Sequence, residues 1–339
     1  MMNLTLFVPG LFDTEIAYVD EHDNSLSSLQ LLLARAKRNK LEDLSYNAAL
    51  CSLFGYHAEV GQDLPMAAIG RLIDDNKRPE GYWMRADPVH LIADQRSLRL
   101  LDASNLALTQ HDALALAASL RESFTELGWE LEVPVSTRWY VKMNAKPDIR
   151  TSEIHSVIGD DIKAHMPRGN DSAIWHRLIN EIQMQLHDAD INQLRVDRGE
   201  LAVNSLWLWG AGTLPDLLER RWSRVYGEDN NTMGLAMLSN TPCLALPERA
   251  EDLFDEDNKS ADILLVLSEF QTSMAEKDQR RKQLQQFDQQ WCSFFLEQLK
   301  NGSLGRLRIL TRTSEFTLGK YSLMKLWKKV NSFNYYVSD

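Results

Sequence analysis

The sequence predicts an α/β fold: a mainly parallel central sheet flanked by helices, with a smaller α+β unit inserted into it. Strand and helix patterns alternate at both ends of the chain. Two apolar runs, Asp262 to Leu267 and Leu307 to Leu310, are separated by a helical stretch from Met274 to Leu299, which is the length of a crossover between parallel strands. The middle of the chain instead carries short apolar runs divided by charges. This reading places the core at residues 1–85 and 165–339 and the inserted unit at 86–164.

Leu4 to Val8, followed by Pro9-Gly10, is a short buried strand ending in a sharp turn, where α/β proteins place ligand loops. From Ser25 to Lys40, Leu26, Leu29, Leu31, Leu32, Leu33 and Ala36 recur near helical spacing and end in a basic turn, predicting an amphipathic helix. Further helices are expected over Tyr46 to Phe54, stopped by Gly55, and over Leu64 to Asp74. Trp83 to Leu101 suits strands. Leu106 to Leu127 is a helix opened by Thr109 or Asp112 and closed by Gly128, and Trp129 to Met143 alternates as strands do. Met143 to Asn170 is a connection with little periodicity. Asp171 or Ser172 starts a helix whose Ile174, Leu178, Ile179, Ile182 and Leu186 share a face, and Ala202 to Trp209 is a strand.

A chain of 339 residues with 44% hydrophobic content can bury a large core. Its 37 basic and 48 acidic residues leave a net charge of −11, which argues against nucleic acid or an anionic membrane as partner. Cys51, Cys243 and Cys292 are widely spaced and odd in number, the pattern of buried thiols in a reducing compartment. With no signal-like or spanning segment, the expectation is a soluble cytoplasmic protein.

The densest polar stretch runs from Asn180 through Asn192 and Arg195 to Asn204, then Trp207, Trp209 and Gly210-Ala-Gly212. Amides and a guanidinium between apolar elements suit a site for a small anionic ligand, and equally suit loops whose amides satisfy backbone groups. Gly210-Ala-Gly212 alone is a weak phosphate signal, because the longer dinucleotide fingerprint is missing. Trp207 and Trp209 read first as core or interface aromatics and second as a stacking platform. A second cluster contains Arg85, Asp87, His90 and Asp94. There Arg85 would hold a phosphate or carboxylate and Asp87 with His90 would move a proton; the plainer alternative is a structural ion pair beside a hydrogen-bonded histidine. All eight histidines precede residue 188, so the late strands bring none to a metal site. No nucleophile elbow supports Ser-His-Asp catalysis. Lys320, Lys325, Lys328 and Lys329 read as a solvated basic helix face.

At these positions the chain resembles RpfE-type bacterial regulatory proteins and, more distantly, the archaeal-type cofactor-independent phosphoglycerate mutases of the alkaline phosphatase superfamily. The resemblance rests on Val8 to Asp13, Ser52 to Tyr56, Arg85-Ala-Asp87, Asn192 with Arg195, Asn204, and Gly210 to Gly212. It implies an alkaline phosphatase-like core and a phosphate-ester cleft. Pro9 stands where the mutases carry the first metal-binding aspartate, leaving Asp13 from that pair, and Ser45 lies near the nucleophile position without the surrounding pattern. The first reading is therefore a mutase-related protein that has lost its metal-dependent catalysis and binds a small anionic ligand through Arg85, Asn192, Arg195, Asn204, Gly210 and Gly212, with no cofactor. The second is an active mutase-like phosphotransferase or phosphatase with Asp87 and His90 catalytic and Asp13 and Glu269 holding manganese or zinc. The third is a protein–protein scaffold using Trp207, Trp209 and the basic C-terminal end.

Overall fold

The computed structural model describes residues 1–12, 24–59, 61–94, 97–158, 160–254, 258–271 and 277–337. The chain forms two compact units, Met1–Gly55 with Leu217–Asp339, and Tyr56–Asp216. Their boundaries fall at 55/56 and 216/217, whereas the sequence reading set them at 85/86 and 164/165. Elements are numbered in chain order across both units.

The discontinuous unit, called unit 1, is built on a seven-stranded sheet. Its inner strand β1 (Met2–Phe7) is buried at all but one position, as a strand covered on both faces must be. It pairs in parallel with β10 (Asp262–Val266) on one side and β11 (Leu304–Leu310) on the other. The expected crossover therefore carries the chain from β10 to β11 past β1. Beyond β10 lie β8 (Arg224–Tyr226) and β9 (Cys243–Leu244), also parallel. Beyond β11 the sheet turns antiparallel through β12 (Ser314–Gly319) and β2 (Lys37–Lys40). Four residues expected to end the first helix thus form an edge strand. The helix itself, α1, spans Ser27–Arg35. α2 (Tyr46–Leu53) and α7 (Asn230–Leu238) pack together, and α10 (Phe333–Val337) lies near the C-terminus.

The crossover is α8 (Lys277–Phe287), a π-helical turn (Asp288–Cys292) and α9 (Ser293–Asn301), which ends at Gly302 in the left-handed conformation. No side chain of its own caps the N-terminus of α1. The buried Asp288 carboxylate on the π turn accepts the Leu29 N–H instead, supplying from a distant segment the acceptor that the helix start requires.

The contiguous unit, unit 2, holds a five-stranded antiparallel sheet. Its long strand β3 (Tyr82–Ala93) pairs with β4 (Leu98–Leu101), β6 (Arg138–Met143) and β7 (Ser205–Gly212), and β6 pairs with β5 (Glu130–Val135). Helices α4 (Gln110–Glu126) and α5 (Ser172–Asp188) pack together over a core that includes Trp139, Trp175, Leu206 and Leu208. Thr109 caps α4 by accepting the Asp112 N–H. α6 (Asp190–Asp197) follows α5 directly, and α3 (Met66–Asp74) covers a smaller cluster with Trp83 and Tyr140. Trp207 and Trp209 are core residues of β7 with 4% and 1% exposure, which removes them from any interface.

Burial pushes the Asp288 carboxyl above its ordinary range, against the pull of the N–H groups it accepts. The folded state therefore holds that proton more tightly than the unfolded chain, and this group's contribution to stability falls as pH rises through the window above its ordinary value of 3.8. Asp288→Ala is expected to cost about 1 kcal/mol in denaturant unfolding through loss of the cap. Asp288→Asn, which keeps an acceptor without a charge, should cost less and remove that pH-dependent component.

Candidate functional site

The Arg85 cluster is built by strand register. Arg85 of β3 lies opposite Tyr140 of β6 and Trp209 of β7, so its guanidinium sits between the two rings, 5.2 and 5.3 Å from their centroids. Two residues on, Asp87 shares that face and accepts Arg85 Nε and Nη2 at 2.9 and 2.7 Å, while its other oxygen accepts Trp209 Nε1 at 2.7 Å. Both side chains are buried. Burial holds the Asp87 carboxyl above the ordinary range; Arg85 and the Trp209 N–H pull it back. The row continues through the Tyr140 hydroxyl, which donates to Asp74, and through Arg138, which grips Asp74 at 2.8 and 2.7 Å.

Asp87 and His90 do not meet. Three residues apart on a strand, they lie on opposite faces, and His90 Nδ1 is bonded to Ala202 O at 2.7 Å. The histidine near Asp87 is the exposed His155, whose ring meets Trp209 edge-on at 6.5 Å and whose charge favours the Asp87 carboxylate.

Asn192, Arg195 and Asn204 spend their polar groups on the protein. Asn192 donates to Leu186 O and Val203 O and accepts Val203 N at 2.9 Å. Arg195 has 0% exposure. It bonds Asp112 Oδ2 at 2.9 Å, Leu201 O, and Leu106 O, joining α6 to the start of α4. Asn204 pairs with the main chain of Leu91 at 2.7 and 2.9 Å. Gly210 and Gly212 serve close packing. The β3–β7 register shifts between Trp83 and Arg85, and Gly210 adopts φ +67° in that irregularity. A Cβ on Gly212 would meet Pro65 Cβ at 2.6 Å.

In unit 1, ligands of an α/β sheet would gather at the carboxyl ends of the parallel strands. Pro9 follows β1, and Asp229 follows β8 but caps α7, accepting Thr232 N at 3.0 Å and Thr232 Oγ1 at 2.6 Å. Thr311 after β11 is folded onto Ser314. Glu269 after β10 is exposed, with desolvation and the neighbouring Glu228 pushing its carboxyl up against the pull of Arg280. Arg280 is itself committed to Gly10 O and the Phe270 ring. Ser45 is the N-cap of α2, and burial pushes the Cys243 thiol up to about 11. Asn47 accepts Asn231 Nδ2 at 2.8 Å. Every described histidine belongs to unit 2. Asp13 lies outside the described residues. Among the described residues, no three His, Cys, Asp or Glu side chains converge as a metal site requires.

A cavity of about 240 Å³ in unit 2 is lined by Gln62, Asp63, Tyr82, Lys146 and Asp148 among others. Asp63 accepts the Thr151 N–H at 3.1 Å and the Thr151 hydroxyl, and burial raises its carboxyl. Sequence reasoning missed this lining, together with Asp74, Asp112, Arg138 and Tyr140. Only the Arg138-Trp-Tyr140 triplet on a predicted strand hinted at a buried polar row.

No protein-family profile matches the chain. A 2,3-bisphosphoglycerate-independent phosphoglycerate mutase of Methanothrix thermoacetophila is 28% identical over 120 residues, covering 35% of this chain and 30% of the relative. The corresponding mutase of Methanosarcina mazei is 31% identical over 74 residues, 22% and 18% of the two chains. The chain is thus distantly related to these mutases, and the matched segments span less than a third of the relatives' length. A solved protein structure from Pyrococcus horikoshii superposes with a TM-score of 0.54 at 12% identity, over 94% of this chain and 87% of the other, a likeness of fold.

If the Arg85–Asp87 pair and Arg195 hold unit 2 together, their loss is read in stability. Asp87→Ala strands a buried guanidinium and is expected to cost about 3–5 kcal/mol in denaturant unfolding, while the double change Arg85→Met with Asp87→Leu should cost clearly less. Arg195→Ala should fall in the same range as Asp87→Ala. Gly212→Ala forces its Cβ against Pro65 and should cost about 1–3 kcal/mol.

Proposed function

We propose that this chain is a phosphoglycerate mutase-related protein that binds a small anionic ligand without metal-dependent turnover, in the regulatory manner implied by its resemblance to RpfE-type proteins. The observation that carries the reading is the state of the strand ends in unit 1. Pro9 offers no side-chain donor, Asp229 is a helix cap, Thr311 closes a turn, and the unit's described residues include no imidazole. Metal-assisted phosphoryl transfer needs several such donors converging on one point. The distant sequence relationship supplies the ligand class, because the relatives are named for phosphoglycerate. Arg85, Asn192, Arg195 and Asn204 support the architecture of unit 2 in this reading, so a ligand meets other groups.

Calorimetric titration with 3-phosphoglycerate and with inorganic phosphate, run beside mutase and phosphatase assays with added manganese, tests the proposal. Saturable binding without turnover is the expected result. Manganese-dependent turnover would overturn it and return Asp13 and Glu269 to the role of metal ligands; no binding of either anion would remove the ligand class.

A further inference from the structure

We propose that one pole of unit 1, formed by residues 320–330 and the edge strand β2, docks onto an anionic bilayer surface. Residues 35–40 and 320–329 hold eight lysines and arginines and no acid, in a chain whose net charge is −11. The structure brings these two segments together. Arg35 Nη1 donates to Lys325 O at 2.7 Å and also to Lys328 O, and Lys328 Nζ donates to Ala36 O at 2.6 Å. Downstream, Phe333 and Tyr336 are buried in the core of unit 1, so the loop is pinned on both sides.

Where a solvated helix face was expected, only Ser322–Met324 forms a single 3-10 turn, and the apolar side chains around it face water. Trp327 is 81% exposed, Leu326 78%, Tyr321 69% and Met324 67%. Lys37 and Lys40 of β2 are exposed beside this loop, and Lys320 and Lys329 flank the apolar tips. Edge protection of the sheet accounts for the β2 lysines, yet it gives no reason to expose Trp327 and Leu326. Two arguments select a bilayer over a protein as occupant. The core of a protein interface is depleted in lysine, whereas segments that lie in a membrane interface combine lysine with Trp, Tyr and long aliphatic side chains. The overall charge of −11, from which a membrane partner was not expected, is carried by the remainder of the chain, which anionic lipid repels, so this pole is the face that approaches.

Co-sedimentation of the full chain with phosphatidylcholine vesicles, with and without phosphatidylserine, tests the proposal. Binding is expected to the anionic vesicles only and should weaken as salt rises. Leu326→Ala with Trp327→Ala should weaken it about tenfold or more, and each lysine neutralised by about fivefold. Lys320→Glu with Lys329→Glu should abolish it; these side chains lie outside the core, and an unchanged circular dichroism spectrum verifies that the variants fold. Absence of binding to anionic vesicles at low salt overturns the proposal, as does binding that survives both double variants. Self-association abolished by Trp327→Ala, with no vesicle binding, assigns the surface to a second copy of the chain and overturns it equally.

Discussion

A guanidinium taken out of water must hand its N–H donors to acceptors fixed in position, and unit 2 is organised around two such groups. Arg195 reaches the carboxylate of one helix and the carbonyls of two loops, so α6, the start of α4 and the chain leading into β7 are placed relative to one point. Arg85 performs the corresponding task within the sheet, where its neighbours on β6 and β7 supply aromatic faces and its neighbour on β3 supplies the charge. Each arrangement is satisfied within the unit. That is why residue types suited to gripping an anion act here as internal fasteners.

Unit 1 solves a different problem. Its central strand β1 is buried on both faces, and Asp229 and Thr311 at the strand ends are committed to a cap and a turn. The same economy that makes these ends good local structure removes them from joint coordination of an ion. A distant relationship to mutases and a strand-end region with this composition fit together if the architecture outlasted the reaction, and recognition then rests on groups other than those the resemblance points to.

Elements whose signal is local were legible in the sequence. The burial pattern of β1, the strands at Asp262 and Leu307 with a helical span between them, and the Thr109 cap all depend on residues within a few positions of one another. The Arg85–Asp87 ion pair and the hydrogen-bonded His90 were legible as the plainer reading of their cluster, since Asp87 lies two positions from Arg85. The role of Arg195 and the bond from Trp209 to Asp87 were not, because Asp112 is 83 positions from Arg195 and Trp209 is 122 positions from Asp87. Lys37–Lys40 continued a helical spacing in sequence, but the free edge of β12 offered its backbone groups a ladder, and that tertiary offer decided the conformation. The bond between Asp288 and Leu29, 259 positions apart, carried no sequence signal at all.

The placement of β1 sets an order of events during synthesis. Its partners on both sides, β10 and β11, lie at the far end of the chain, and Asn3 meets Asp262 across 259 positions. Unit 2 is contiguous and has every residue it needs once Asp216 has been made. It can therefore complete its sheet while β1 still waits for neighbours, an apolar strand with both edges open on the ribosome. Closing β1 against β10, whose Asp262 lies 259 positions beyond Asn3, is a pairing of long sequence separation, a kind that forms slowly.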